Sequence, residues 1–172
     1  IWSVDSGDWD LVTLNWIGAF FGKAMLFFNG ANVIFDKTAG GTINIASDMS
    51  PLSTTVSAGD YTFSGQPVAT GSLTKSGGGQ LNLKVTPANF SSIAVNGGTL
   101  YLYAPNPGGF SPEGASFNMT NVTVESGATL IGERAYIEGS LTMNGGRYFE
   151  NNGFAGRWTQ GTGTYLYNLQ LD

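Results

Sequence analysis

The chain has 172 residues, 7 Lys and Arg against 12 Asp and Glu for a formal net charge of −5, and neither His nor Cys. So few cations make it a poor partner for nucleic acid, whose binding rests on phosphate neutralisation. A His-based triad, a thiol nucleophile, a Cys/His zinc site and a disulfide framework are excluded outright.

With 41% hydrophobic and 13% aromatic residues the composition is not that of a disordered chain; with 11% charged residues and 26 glycines it is not that of a helical one. The longest apolar runs, such as Ala24-Met25-Leu26-Phe27-Phe28, are strand-sized and far short of the roughly 18 residues of a membrane helix, so no membrane span is expected. A chain that begins at Ile1 is expected to be a processed protein or an excised piece, with any leader outside the sequence.

The first third is rich in large rings: Trp2, Trp9, Trp16, Phe20, Phe21, Phe27, Phe28 and Phe35. Residues 1–38 read as a cap on the repetitive remainder, because the end of a stack of strands leaves unpaired edges and an open core. Asp5, Asp8 and Asp10 lie together around Trp9. Three carboxylates could supply oxygen ligands to Ca²⁺, but they lack the spacing and glycine of a calcium loop, and alternate residues of a strand point apart. A solvated loop is the expectation, with no cofactor.

From residue 39 to 172 one pattern recurs: Gly, a small polar residue, an apolar residue, a spacer, another apolar residue. It appears in Gly41-Thr42-Ile43-Asn44-Ile45, Gly79-Gln80-Leu81-Asn82-Leu83, Gly98-Thr99-Leu100-Tyr101-Leu102, Gly139-Ser140-Leu141-Thr142-Met143 and Gly163-Thr164-Tyr165-Leu166-Tyr167. Period-2 alternation predicts short strands with one apolar side, and Gly and Asn mark corners that need positive φ. Such units cannot bury an apolar face alone, so they stack. Irregular spacing argues against a strict hexapeptide coil and for an all-β solenoid with uneven corners; an antiparallel sandwich is the alternative.

The stretch from Trp2 to about Leu100 resembles the autotransporter passenger-associated β-strand repeat of bacterial surface proteins. The resemblance rests on ordered elements: spaced Trp2, Trp9 and Asn15-Trp16; Gly30-Ala31-Asn32-Val33-Ile34-Phe35-Asp36; Gly41-Thr42-Ile43; Ser50-Pro51-Leu52-Ser53-Thr54-Thr55-Val56; Tyr61-Thr62-Phe63-Ser64-Gly65; and Gly71-Ser72-Leu73-Thr74-Lys75-Ser76-Gly77-Gly78-Gly79-Gln80-Leu81-Asn82-Leu83. The chain departs from that pattern at Thr86-Pro87-Ala88-Asn89-Phe90, and beyond residue 104 only generic solenoid texture remains. The resemblance implies a right-handed parallel β-helix and a secreted or cell-surface setting, and implies no activity.

Candidate chemistry is sparse. Glu125, Glu133, Glu138 and Glu150 are the one dense set of acids, but Arg134, Arg147 and Arg157 lie among them, so cross-strand charge pairs are expected rather than a carboxylate pair held roughly 5–10 Å apart for hydrolysis. The sequons Asn89-Phe90-Ser91, Asn118-Met119-Thr120 and Asn121-Val122-Thr123 read as chance in an Asn- and Thr-rich chain; the alternative is a structural role for the asparagines in stacked ladders at corners. Tyr148, Phe149, Phe154, Trp158, Tyr165 and Tyr167 crowd the last rungs. Neighbours such as Tyr148 and Phe149 must point to opposite faces, so one of the two is exposed.

The candidate partner-binding residues are therefore Trp158, Tyr165 and Tyr167 at one end and Trp2 and Trp9 at the other. The expected protein is a non-enzymatic structural or adhesive solenoid that self-associates end to end or joins adjacent solenoid modules by strand addition. The alternatives are an extracellular carbohydrate-binding module that stacks surface glycans on exposed aromatics and a polysaccharide-active β-helix enzyme.

Overall fold

The structure, a computed structural model, describes residues 1–68, 71–85, 88–103, 116–119, 121–133, 136–137 and 140–151. Among them every regular element is a strand. In chain order these are β1 (Gly7–Trp9), β2 (Trp16–Ile17), β3 (Ala24–Met25), β4 (Asn32–Phe35), β5 (Gly41–Ile45) and β6 (Ser53–Val56). There follow β7 (Tyr61–Gly65), β8 (Ser72–Lys75), β9 (Gln80–Lys84), β10 (Ala88–Phe90), β11 (Ser92–Val95) and β12 (Gly98–Tyr103). The series ends with β13 (Ser116–Met119), β14 (Asn121–Glu125), β15 (Ala128–Glu133), β16 (Tyr136–Ile137), β17 (Ser140–Asn144) and β18 (Arg147–Asn151).

The strands wind into a parallel β-solenoid with three faces. One face is a seven-stranded sheet ordered β1-β5-β7-β9-β12-β15-β18; the second is six-stranded, β4-β6-β8-β11-β14-β17 with β4 at one edge; the third is β10-β13-β16, extended by the parallel bridge of Met49 to Val68. Every ladder in these faces is parallel, which rules out the antiparallel sandwich. The lone antiparallel pair among the described strands is the β2-β3 hairpin in the cap.

Register shows why the repeat length looked uneven. Ile43 lies opposite Phe63 and Phe63 opposite Leu83, steps of twenty residues. Leu83 opposite Leu102 is a step of nineteen, and Leu130 opposite Tyr148 one of eighteen. Leu100 opposite Leu130 is a step of thirty, about ten residues more than its neighbours, and Trp9 opposite Ile45, which takes in the cap, is one of thirty-six.

Alternation then sorts every rung. The inward positions of the seven-stranded sheet form columns such as Tyr61-Leu81-Leu100-Leu130 and Ile43-Phe63-Leu83-Leu102, all buried. Those of the six-stranded sheet form Val33-Thr54-Leu73-Ile93-Val122 and Phe35-Val56-Lys75-Val95-Val124. Because strands sit about 4.8 Å apart, each side chain packs on the ones above and below it as well as across the shaft. Most of the glycine-led apolar pairs foreseen in the sequence are these inward residues.

The cap closes one end of this core. β1 pairs with β5 along the outer edge of the seven-stranded sheet, and the Trp2 amide donates to the Ile34 carbonyl of β4 at 2.8 Å. Trp2, Trp9, Trp16 and Phe27 drop their rings onto Phe35 and Phe63: Trp2 to Trp16 5.0 Å, Trp9 to Phe27 5.3 Å, Trp16 to Phe35 5.5 Å, Phe35 to Phe63 4.8 Å between centroids. None of the three indole N–H groups has a hydrogen-bond partner, and each tryptophan makes edge-to-face ring contacts, the arrangement in which weak N–H···π contacts form. The ladder already includes β1 and β4, so winding begins well before residue 39; the rise in glycine there marks tighter corners.

Those corners stack on one another, so a corner residue meets the corner below. Gly59 has φ +70°, and a Cβ there would run into the Lys37 carbonyl; Gly78 has open space around it. Gly59→Ala is expected to lower the denaturation midpoint clearly while Gly78→Ala leaves it within error, as measured by urea unfolding. Trp9→Ala is expected to cost about 3–5 kcal/mol in the same measurement, because it opens a ring-sized cavity in the plug.

Candidate functional site

Among the described residues, three surfaces and one buried group stand out. The first is the outer side of the six-stranded sheet. Its outward residues form two columns, Asn32-Ser53-Ser72-Ser92-Asn121-Ser140 and Ile34-Thr55-Thr74-Ala94-Thr123-Thr142. No charge and no aromatic ring interrupts these columns. Ser53 donates to Asn32 Oδ1 at 2.7 Å and Ser140 to Asn121 Oδ1 at 2.9 Å. Elsewhere Asn44 Nδ2 donates to Asp8 at 2.7 Å and Asn144 Nδ2 to Glu125 at 2.9 Å. The asparagine ladders expected from the sequence are thus mixed ladders, in which an amide on one rung meets a hydroxyl or carboxylate on the next.

The second surface is the outer side of the seven-stranded sheet, which changes character along the shaft. Its central column reads Thr42-Thr62-Asn82-Tyr101-Ile131-Phe149: small and polar near the cap, large and apolar from β12 onward. Tyr101 and Tyr103 stand on the same side of β12 with ring centroids 6.5 Å apart and planes inclined by 27°. The Lys84 ammonium lies 5.7 Å from the centroid of the Tyr103 ring. Beside them Gln80 Nε2 donates to Asn82 Oδ1 at 2.6 Å, and Asn82 Nδ2 donates to Thr62 Oγ1 at 3.2 Å.

The third surface is the outside of the cap. Phe20 is 94% exposed, Phe21 81% and Val12 80%, and Leu14 and Phe28 are also exposed. Phe20 and Phe21 touch at 5.8 Å at the tip of the β2-β3 hairpin.

The buried group is Lys75. It occupies an inward position of β8, in a column otherwise of Phe35, Val56, Val95 and Val124, and is fully buried. Its ammonium donates to the carbonyls of Ser76 at 2.6 Å, Gly77 at 3.1 Å and Gly97 at 3.3 Å, tying the corners of two successive rungs together. Burial lowers its pKa, and the charge of Asp60 pulls the other way. On the neighbouring rung, burial raises the Tyr61 phenol, whose hydroxyl accepts from the Lys37 amide at 3.2 Å.

The residues singled out from the sequence fall as follows. Trp2 and Trp9, expected at a partner-binding surface, are corrected to the core: both rings are buried in the plug, where with Trp16 and Phe27 they keep the open end of the shaft from water. Trp158, Tyr165 and Tyr167 lie outside the described residues, as do Phe154, Arg134, Glu138 and Arg157. Tyr148 packs against the core while Phe149 is 44% exposed, the split that alternation requires.

Asp5, Asp8 and Asp10 do not converge. Asp5 pairs with Lys37 at 3.2 Å, Asp8 accepts from Asn44, and Asp10 accepts from the Val12 and Thr13 amides and the Thr13 hydroxyl at 2.6–2.9 Å. Desolvation pushes the Asp10 carboxyl up, but those three hydrogen bonds together pull it below its ordinary value.

Lys75, Tyr101 and Tyr103 were not singled out. Lys75 was readable from phase, since Ser72-Leu73-Thr74-Lys75 alternates and puts the lysine on the side of Leu73. Tyr101 and Tyr103 were readable as the spacers of Leu100-Tyr101-Leu102.

Together these features define the class: a parallel β-solenoid with a tryptophan-plugged end and, among the described residues, two sheet faces of different chemistry. No family model matches the chain, and neither the curated proteins nor the solved structures give a significant match.

Lys75→Met is expected to lower stability by about 1–3 kcal/mol at pH 7, since it strips three inward carbonyls of their donor. The alkaline behaviour separates the two titrating groups. Because the folded pKa of Lys75 is depressed, the unfolded chain binds the extra proton in the window just below 10.5, and the lysine's contribution to stability rises with pH there. Because that of Tyr61 is raised, its contribution is full below 10.0 and is lost as pH climbs through the folded value. Urea titrations from pH 8 to 11 are expected to show the rising component missing in Lys75→Met and the falling one missing in Tyr61→Phe.

Proposed function

We propose that this protein is a non-enzymatic structural and adhesive solenoid, secreted or held at an outer cell surface, which joins a second copy or an adjacent solenoid module through its capped end. The observation that carries this reading is the outer surface of the cap. Phe20, Phe21, Val12, Leu14 and Phe28 are exposed on a segment whose inner side already holds the tryptophan plug, so these rings are not needed to close the core. Large exposed apolar patches on an otherwise polar molecule mark surfaces that other proteins cover.

Three further features support the reading. Among the described residues the shaft is filled by stacked, mostly apolar columns, which suits a stiff spacer. The absence of His and Cys from the whole sequence removes the commonest nucleophile and proton-transfer chemistry. The resemblance of residues 2–100 to autotransporter-type repeats of bacterial surface proteins suits an extracellular setting.

At the capped end the short strands β1 and β4 are the outermost of their sheets, and the exposed apolar side chains of the cap lie beside them as the contact surface. Sedimentation velocity over a concentration series is expected to show reversible association of the wild type. Phe20→Ser with Phe21→Ser is expected to weaken it about tenfold or more, with an unchanged circular dichroism spectrum. A wild type that stays monomeric throughout, or a double variant that associates equally well, overturns the self-associating form of the proposal.

A further inference from the structure

We infer that the outer side of the seven-stranded sheet around β9 and β12 is a binding site for an acidic polysaccharide, formed by Tyr101, Tyr103, Asn82, Gln80 and Lys84. The inference goes beyond the cap-mediated association above and uses a different face. Loss of either activity leaves the other standing.

The site is built by a break in the solenoid's own pattern. In the rungs nearer the cap the outward residues of this sheet are Thr42, Asn44, Thr62 and Ser64, small groups that serve rung stacking. At β9 and β12 the same register positions become Asn82 and Lys84, then Tyr101 and Tyr103. Nothing in the packing of the shaft requires rings there, since Leu100 and Leu102 already fill the core side. The half-buried tyrosines project from β12, at six residues one of the two longest described strands.

The chemistry of the patch selects the ligand. Aromatic rings offer broad apolar platforms to the C–H face of a pyranose. The amide row beside them is held in one orientation by Gln80 donating to Asn82 and Asn82 donating to Thr62, so hydroxyl partners meet groups that need little further ordering. Lys84 adds an exposed cation beside the Tyr103 ring. The sequence from 61 to 112 contains no Asp or Glu, while Asp5, Asp8, Asp10, Asp36, Asp48 and Asp60 all lie nearer the start of the chain. Two acids border this stretch, Asp60, whose carboxylate accepts from the Gln80 amide at 2.7 Å, and Glu133, in register with Tyr103 on the next rung, so an anion is held on the Lys84 side of the patch. A carboxylate on the sugar, as in a uronate, completes the match to a compact ammonium. A single-stranded nucleic acid also offers anions and flat rings, but one exposed lysine neutralises too little phosphate to hold it.

The test uses purified full-length chain and oligogalacturonides as the uronate probe, with dextran and cello-oligosaccharides as neutral probes and oligo-dT as the nucleic-acid probe, by isothermal titration calorimetry. Substitutions are taken from the solenoid's own neighbouring rungs so that the fold tolerates them: Tyr101→Asn as at Asn82, Tyr103→Ser and Lys84→Ser as at Ser64. The wild type is expected to bind oligogalacturonide with an affinity that falls as salt is raised. Each tyrosine substitution is expected to weaken it about tenfold, the loss of one stacking contact. Lys84→Ser is expected to abolish the salt dependence.

A second readout needs no variant. Nitration of Tyr101 and Tyr103 by tetranitromethane, mapped by mass spectrometry, is expected to be suppressed by oligogalacturonide and untouched by dextran. No binding of oligogalacturonide at millimolar concentration overturns the inference. So does equal binding of neutral glycans, tighter binding of oligo-dT, or binding that survives the tyrosine substitutions with both rings left open to nitration.

Discussion

Each inward side chain in this molecule must fit the residue one rung above and one rung below it, because parallel strands repeat at about 4.8 Å and leave no room for a mismatch. The columns obey that constraint with aliphatic on aliphatic: Leu81 on Leu100 on Leu130, Val95 on Val124. Where size changes sharply, a neighbour yields. Tyr61 stands in register with Gly41, and the rings of Phe35 and Phe63 fill the space near the cap. The same constraint forces a plug. A column that ended at Phe35 and Ile43 would face water, and Trp2, Trp9, Trp16 and Phe27 are the groups that prevent it.

Lys75 shows the constraint from its costly side. A cation stands among valines in an inward column, at a position where one more aliphatic residue would pack well. What it gains is a hold on the carbonyls of Ser76, Gly77 and Gly97, which the glycine corners turn inward. Those corners are tight enough that a Cβ at Gly98 would meet the Lys75 ammonium at 2.8 Å. The lysine and the glycines are therefore one device: corners without side chains bring carbonyls together, and the ammonium satisfies them.

Much of this was legible in the residues, and the reason is periodicity. Alternation marks the inward pair of each strand without reference to any partner, so Ile43 and Ile45 or Leu81 and Leu83 could be assigned to the core from sequence. The glycines that punctuate them placed the corners. What alternation does not encode is which strands pair. The parallel ladders, the thirty-residue step from Leu100 to Leu130 and the winding of β1 and β4 into the sheets emerge only when rungs stack. Trp2 and Trp9 were misplaced for a related reason: a tryptophan in a short irregular segment has no phase, and only the open end of the core decides which way it faces. The tyrosines of β12 were passed over because a spacer in an alternating run looks like filler until its column is laid beside the others.

That last point separates the two kinds of information in a solenoid. Inward positions are over-determined by their neighbours and so report only on folding. Outward positions are nearly free of packing demands, and a departure from small polar residues there needs another cause. The six-stranded face keeps its serine, asparagine and threonine columns from β4 to β17 almost unbroken, as ladder bonding alone would lead one to expect. The seven-stranded face does not. It exchanges Thr42 and Thr62 for Tyr101, Ile131 and Phe149 along a single column, on the same winding and the same register. Both faces share one core and one twist, so the core does not impose the difference; pairs on the face itself, such as Ile131 beside Phe149, add their own cross-strand contact. That change is the feature on which the proposed binding site rests.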